Sequence, residues 1–215
     1  MQVDNLVKRL FDILFSLAAL CLLSPLLFVV ALVVVIGSFG NPFYLGARVG
    51  KDGVPFGMWK FRTMVTGADR IGTGITSTHD PRVTGVGHFL RRTKLDELPQ
   101  FFNVLCGDMS IVGPRAEVPE IVARYTDQQR EVLRYKPGIT GVGAIHYTTD
   151  QMSTIPDQAS AEEFYIAHLL PEKLSMETEY ERSRTFVRDI KVILSTLWLI
   201  LNRFVRPIPT SGRTT

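Results

Sequence analysis

Cysteine is scarce in this chain of 215 residues: Cys21 lies inside an apolar run and Cys106 stands alone, which excludes a disulfide framework. The four histidines (His79, His88, His146 and His168) show no HxxxH or HExxH spacing, which argues against a zinc enzyme. No internal repeat, low-complexity tract or basic motif interleaved with aromatics is present, and residues 116–181 carry a net charge of −7, so nucleic acid is not the expected partner. Charge itself is missing from Ile13 to Ala47.

What is present is uneven. Residues 1–47 are neutral overall, 48–115 carry +4 and 182–215 carry +6, which points to anionic partners such as phosphates or lipid head groups. The uncharged run is long enough for a membrane helix and too long, without a small-residue cleavage site, for a removed signal. Ser24-Pro25 sits in its middle, where a kink or break is expected. Lys8 and Arg9 before the run, and Arg48, Lys51, Lys60 and Arg62 after it, would put both ends on the cytoplasmic side. A break leaves two arms of about 18 Å, each too short for a core of about 30 Å. These residues leave a re-entrant hairpin and a kinked span both open. Asp12 is expected near the interface or paired with Lys8 or Arg9.

The expected fold class is α+β and predominantly helical. Residues 1–37 read as a helix-break-helix membrane hairpin, and 38–215 as a compact cytoplasmic catalytic domain with a few short strands and interfacial helices. Within it, 38–58 read as turns, 59–64 (WKFRTM) as a short strand, 66–88 as loop and 116–135 as helix. KPGITG (136–141) reads as a turn, 161–183 as an acidic helix and 187–204 as an apolar helix suited to an interface.

Chemistry concentrates in FLRRTKLDELPQFFNVLCGDMSIVGPR (89–115). Asp96 and Glu97 are neighbours, so on a helix they do not face each other like a glycosidase pair, and two separate roles suit them better: one carboxylate reacts, the other holds a metal. With Asp96 as N-cap, Pro99 falls at N3 of the helix that follows. The plain alternative is a capping Asp and a first-turn Glu. Arg91, Arg92, Lys94 and Arg115 supply guanidinium and ammonium groups for phosphate, and Lys60 and Arg62 add to the same pool.

KRLFDILFS with Ser24-Pro25, KFRTM, DPRVT (80–84), the 89–115 block and KPGITG follow one another in an order that resembles the bacterial sugar transferases, specifically the small monotopic phosphoglycosyl transferases. The resemblance implies a two-step displacement. Asp96 attacks the β-phosphorus of a UDP-sugar and releases UMP, and a polyprenyl phosphate then takes the phosphosugar from the carboxylate. It implies Asp96 as nucleophile, Glu97 as Mg²⁺ ligand, Arg91 and Arg115 as phosphate contacts, Lys8 and Arg9 as an interfacial pair, and Ser24-Pro25 as a re-entrant break. It also implies residence on the cytoplasmic face of a bacterial inner membrane, with a homodimer left open. With no multispan region ahead of Lys8, the chain reads as the family's minimal catalytic unit. Two stretches depart from the pattern: Pro114-Arg115-Ala116 replaces Pro-Arg-Pro, and VGAIHYTT (142–149) replaces a Gln-Val-x-Gly-Arg-like segment, so the sugar is not legible. A membrane-anchored scaffold and a nucleotide-sugar hydrolase are the competing readings.

Overall fold

A computed structural model describes residues 2–68, 80–146 and 162–205. The described residues are mostly helical, with four short strands among them and one long apolar helix at the start. That helix, α1 (Gln2–Ser38), is uninterrupted, with Pro25 inside it. The helix-break-helix expected at Ser24-Pro25 is therefore corrected to one continuous helix. Proline removes the N–H that would have bonded the Cys21 carbonyl, and the Ser24 hydroxyl donates to that carbonyl instead, at 2.9 Å. Leu6–Ser38 is long and apolar enough to cross a membrane. Its buried positions Asp12, Ser16, Leu20, Val30 and Val34 fall at helical spacing on one stripe. Leu14, Leu17, Leu22, Phe28, Val29 and Ile36 stay exposed.

Residues 38–58, expected to be turns, contain strand β1 (Phe43–Val49) and the start of β2 (Pro55–Phe61). The two pair antiparallel from Phe43↔Phe61 to Val49↔Pro55. The count of Gly and Pro hid the alternation of Phe43, Leu45, Ala47 and Val49. The connection over Lys51–Gly53 turns through left-handed Asp52 (φ 58°) and Gly53 (φ 78°). Helix α2 (Gly85–Thr93) begins with the Thr84 hydroxyl accepting from the Gly87 N–H at 2.9 Å. Of the loop expected over 66–88, residues 69–79, including His79, lie outside the described residues.

A single 3₁₀ turn (Leu95–Glu97) leads into α3 (Gln100–Cys106). Strand β3 (Ser110–Val112) pairs in parallel with β4 (Gly138–Thr140), which occupies the middle of KPGITG. The helix expected over 116–135 is instead a short α4 (Pro119–Val122) and a 3₁₀ segment (Gln129–Arg134). Thr126 and Gln129 cap each other reciprocally, Thr126 N–H to Gln129 Oε1 at 2.9 Å and Gln129 N–H to Thr126 Oγ1 at 3.3 Å, which starts a new turn where the pattern suggested continuity. Then come α5 (Val142–His146), a π-helical turn (Tyr165–Leu169) running into α6 (Leu170–Arg182), and α7 (Phe186–Val205).

Three apolar clusters hold these pieces. One joins Met58, Val104, Met109, Ile111 and Val112 to Tyr180, Val192 and Ile193, with Phe11 and Phe15 of α1 packed on it. A second centres on Ile121, Tyr125, Leu170 and Leu174. The third sets Val30 and Val34 of α1 against Phe61 and Leu90. Both ends of α1 thus pack on the same domain.

Candidate active site

The dyad sits on a bend rather than at a helix start. Lys94 ends α2 in a left-handed conformation (φ 61°), which a non-glycine residue adopts at a cost of roughly 1 kcal/mol. The chain then turns at once through Leu95–Glu97. The α-helix that follows has Pro99 as its N-cap, and the 3₁₀ turn has no side-chain cap, so the expectation of Asp96 as N-cap is corrected. The carboxylate is not consumed by capping. Asp96 is 6% exposed and Glu97 9%, yet among the described residues the Asp96 Oδ1 atom has no hydrogen-bond partner.

Cations reach this bend from three directions. Glu97 Oε1 accepts from Lys60 Nζ of β2 at 3.1 Å and from Arg115 Nη2 at 3.4 Å, and Lys94 Nζ lies 3.7 Å away. Arg91 of α2 donates to Thr63 Oγ1 at 2.8 Å and has Asp96 as its strongest attractive charge. The two acids are driven apart. Burial, and then the Glu97 charge, raise Asp96 to about 6 against the pull of Lys60, Lys94 and Arg91. Burial also penalises Glu97, but Lys60, Lys94 and Arg115 outweigh it and hold that carboxyl well below the usual range. Neighbouring acids with opposite shifts suit two different tasks.

The cations are held by anchors that sequence reasoning missed. The Asn103 side chain on α3 accepts from Trp59 N–H at 2.9 Å and donates to the Gly57 carbonyl at 2.8 Å, which fixes β2, and so Lys60, relative to the dyad. Arg115 follows Gly113-Pro114, where a side chain at Gly113 would collide with the Lys136 carbonyl. The Gly113 N–H bonds Thr140 O at 3.0 Å, and the Arg115 N–H bonds Glu177 Oε1 at 3.2 Å. Burial raises Glu177 to about 7, and its Oε2 has no partner. Beside Arg115, Glu117 Oε1 accepts from Lys173 Nζ and from the Tyr165 hydroxyl, each at 2.6 Å. Glu117 and Lys173 are 56 residues apart, so their pairing has no local sequence signal.

Asp96, Glu97, Lys60, Arg91 and Arg115 are thus brought together. Arg62 is not brought to the dyad. It lies past the end of β2, and its Nη2 donates to Ser38 Oγ at 2.9 Å and Ser38 O at 3.3 Å at the end of α1. Lys8 and Arg9 also point into protein. Lys8 Nζ donates to Ser110 Oγ at 2.5 Å and faces Asp12 and Asp189 at 3.4 and 3.5 Å. Arg9 donates to the Val104 and Leu105 carbonyls at 2.6 and 3.0 Å, at the C-terminal turn of α3 where a cation is favoured. Asp12 is buried, paired with Lys8 as expected, and also accepts from Ser110 Oγ at 2.8 Å. Ser24 and Pro25 stay exposed, far along the chain from the site.

Buried carboxylates ringed by lysine and arginine, beside a helix of membrane length, have the make-up of a polyphosphate site at a lipid surface. The chain belongs to the bacterial sugar transferase family, whose sequence profile matches residues 3–203. Among its relatives is the UDP-glucose:undecaprenyl-phosphate glucose-1-phosphate transferase of Escherichia coli strain K12, 40% identical over 204 residues, covering 91% of this chain and 40% of that one. The undecaprenyl-phosphate galactose phosphotransferase of Salmonella typhimurium is 39% identical over 163 residues, 68% of this chain and 34% of its own length. The exopolysaccharide production protein PSS of Rhizobium leguminosarum bv. phaseoli is 34% identical over 215 residues, 94% of this chain and 98% of that one. The chain therefore spans about 40% of the length of the E. coli relative and nearly all of the Rhizobium one.

Proposed function

We propose that this chain moves a sugar 1-phosphate from a UDP-sugar to a polyprenyl phosphate such as undecaprenyl phosphate, releasing UMP, through a phosphosugar ester on Asp96, as the first membrane step of a glycan pathway. The observation that carries this reading is the Asp96 Oδ1 atom, buried and without a hydrogen-bond partner amid Lys60, Lys94 and Arg91. A free carboxylate oxygen there is ready to attack phosphorus, and the neighbouring cations offset the incoming diphosphate charge. The first step forms a bond from Asp96 to the β-phosphorus and breaks the bridging P–O bond, whose electron pair leaves with UMP. In the second, an oxygen of the lipid phosphate attacks the same phosphorus and the Asp96 carboxylate departs, so one carboxylate serves two acceptors in turn.

Magnesium fits the dyad. Glu97, held ionised by its cationic neighbours, is the hard oxygen donor this ion takes, and with phosphate oxygens and water the ion needs only one or two protein carboxylates. When bound, the ion supplies charge neutralisation to the diphosphate.

The same reading seats α1 on the cytoplasmic face of the inner membrane as one continuous helix, its buried stripe on the domain and its exposed apolar side toward the leaflet. Support comes from its two ends. Phe11 and Phe15 pack on the cluster containing Val104 and Ile111, and Val30 and Val34 on Phe61 and Leu90 of the same domain. The exposed face of α7 (Val187, Leu194, Leu197, Trp198 and Leu201) adds a second apolar surface with an aromatic anchor. A cysteine placed at residue 2 is expected to be labelled from the cytoplasmic side. Labelling only from the periplasm refutes one-sided insertion.

A panel of UDP-sugars with Mg²⁺ and undecaprenyl phosphate decides the activity. Lipid-dependent UMP release with at least one sugar is expected. Continuous release without lipid would identify a hydrolase, and binding without release under any condition a scaffold.

A further inference from the structure

Arg48 is a cation near the dyad that the reaction described above does not use. Residues paired across an antiparallel ladder share a face, and positions two apart along a strand do too. Tyr44 pairs with Lys60, Gly46 with Met58, and Arg48 with Phe56, so Arg48 and Lys60 project from the same face of the β1–β2 hairpin. Lys60 uses that face to reach Glu97. The hairpin's other end is tied to the segment carrying Arg115, because the Val49 N–H donates to the Glu117 carbonyl at 3.0 Å. Arg48 on β1 therefore lies close enough to Arg115, on the segment after β3, for the Arg115 charge to act on it.

Their commitments differ. Arg115 gives one guanidinium nitrogen, Nη2, to Glu97 Oε1 at 3.4 Å. Among the described residues Arg48 makes no ion pair, and its side chain gives one long hydrogen bond, Nη1 to the adjoining Ala47 carbonyl at 3.3 Å. Its guanidinium is half-buried with most of its donors unused, next to a second guanidinium of like charge. Burial, and then the Arg115 charge, pull the Arg48 pKa down, with Glu117 opposing them, so the pair gains when an anion arrives between them. Four residues separate Arg48 from Lys60 across the ladder, about 13 Å along the strands. With Lys60 held on Glu97, Arg48 is left for a phosphoryl group farther along the same hairpin face.

We infer that Arg48, with Arg115, binds the phosphoryl group that departs with the nucleotide, and so serves as the leaving-group contact of the first displacement. This rests on the proposed transfer reaction. As the bridging P–O bond breaks, negative charge grows on the nucleoside monophosphate, and a guanidinium fork facing it favours departure with no proton transferred. The lipid acceptor also carries a phosphate, so the two half-reactions must be measured apart.

The test uses the full chain in detergent or nanodiscs, comparing wild type with Arg48→Gln and Arg48→Lys. The first half-reaction is read as the burst of UMP from UDP-sugar without lipid, and product affinity as inhibition by UMP. Loss of one charge-assisted contact is expected to slow the burst and weaken UMP inhibition by about tenfold or more in Arg48→Gln, with a smaller loss in Arg48→Lys. Transfer from preformed phosphosugar enzyme to lipid should change less than twofold. Thermal unfolding should stay within about 2 °C, because Arg48 holds no ion pair. Three results overturn the inference: an unchanged burst and UMP affinity in Arg48→Gln, a defect confined to the lipid half-reaction, or burst loss that only follows unfolding. Failure of the wild type to release UMP with any sugar would instead sink the transfer reaction itself.

Discussion

Asp96→Asn is expected to abolish transfer, by at least about a thousandfold, while leaving the protein as heat-stable as wild type or more so. The two halves of this result come from one cause. Burial and the Glu97 charge raise Asp96 to about 6, above the ordinary value of 3.8, so folding disfavours its ionised form. That penalty is absent in acid, where the side chain is neutral in both states, and is fully present once pH passes about 6. Asparagine keeps the shape and discards the charge, so at pH 8 the melting temperature should hold or rise. The same ionised oxygen is the one proposed to attack phosphorus, and the amide cannot replace it. Donor-treated wild type quenched without lipid should show a mass gain of one sugar phosphate on the peptide containing Asp96, and the variant should show none. Full turnover in Asp96→Asn, or normal wild-type turnover with no adduct in a sensitive search, would rule out covalent catalysis here.

Why the dyad could be read from sequence, and its surroundings only in part, follows from where each residue's partners lie. Asp96, Glu97, Arg91 and Arg115 sit within one contiguous block, so charge density alone marked the place. The bend that presents the carboxylates was not legible, because left-handed Lys94 is a non-glycine residue whose conformation is imposed by packing. Lys60 and Arg62 look equivalent in KFRTM, yet one reaches Glu97 and the other Ser38, since the strand ends between them. Lys8 and Arg9 suggested lipid because they flank an apolar run, and only the docked positions of Ser110 and the α3 carbonyls show their donors turned inward. The mostly helical make-up with a few short strands and a long apolar helix at the start came through, because a long uncharged apolar run is a strong signal. Strand β1 did not, because its glycine-rich flanks resemble loop. Ser24-Pro25 announced an interruption, but a hydroxyl one residue earlier took up the orphaned carbonyl and the helix runs on. The misses at Lys8, Arg9, Arg62 and Lys94 involve a partner far along the chain or a backbone state with no residue preference, and those are the contacts that local pattern cannot encode.

Glu97→Gln should lower transfer by at least about a hundredfold and, less obviously, make Asp96 a stronger acid. Glu97 sits second only to burial among the influences raising Asp96, so removing its charge relieves that repulsion. Lys60 and Arg115, now bonded to Glu97 Oε1, and Lys94 close by lose their counter-charge and act more strongly on Asp96. Both changes favour ionised Asp96 and have the same sign. In wild type the UMP burst should therefore fall as pH drops through about 6, where Asp96 takes up its proton. In Glu97→Gln the Asp96 titration should move toward the ordinary carboxylate range. Carboxyl NMR of protein labelled at aspartate, recorded without added magnesium, reads that shift independently of turnover. The variant should also lose stability of about 1–3 kcal/mol at neutral pH, because the depressed Glu97 carboxyl stabilises the fold above its unfolded pKa and a neutral amide cannot. An Asp96 titration that stays near 6 would mean that burial alone sets its acidity. In that case the dyad would not be an electrostatic unit, and Glu97 would contribute to the reaction only through what it binds.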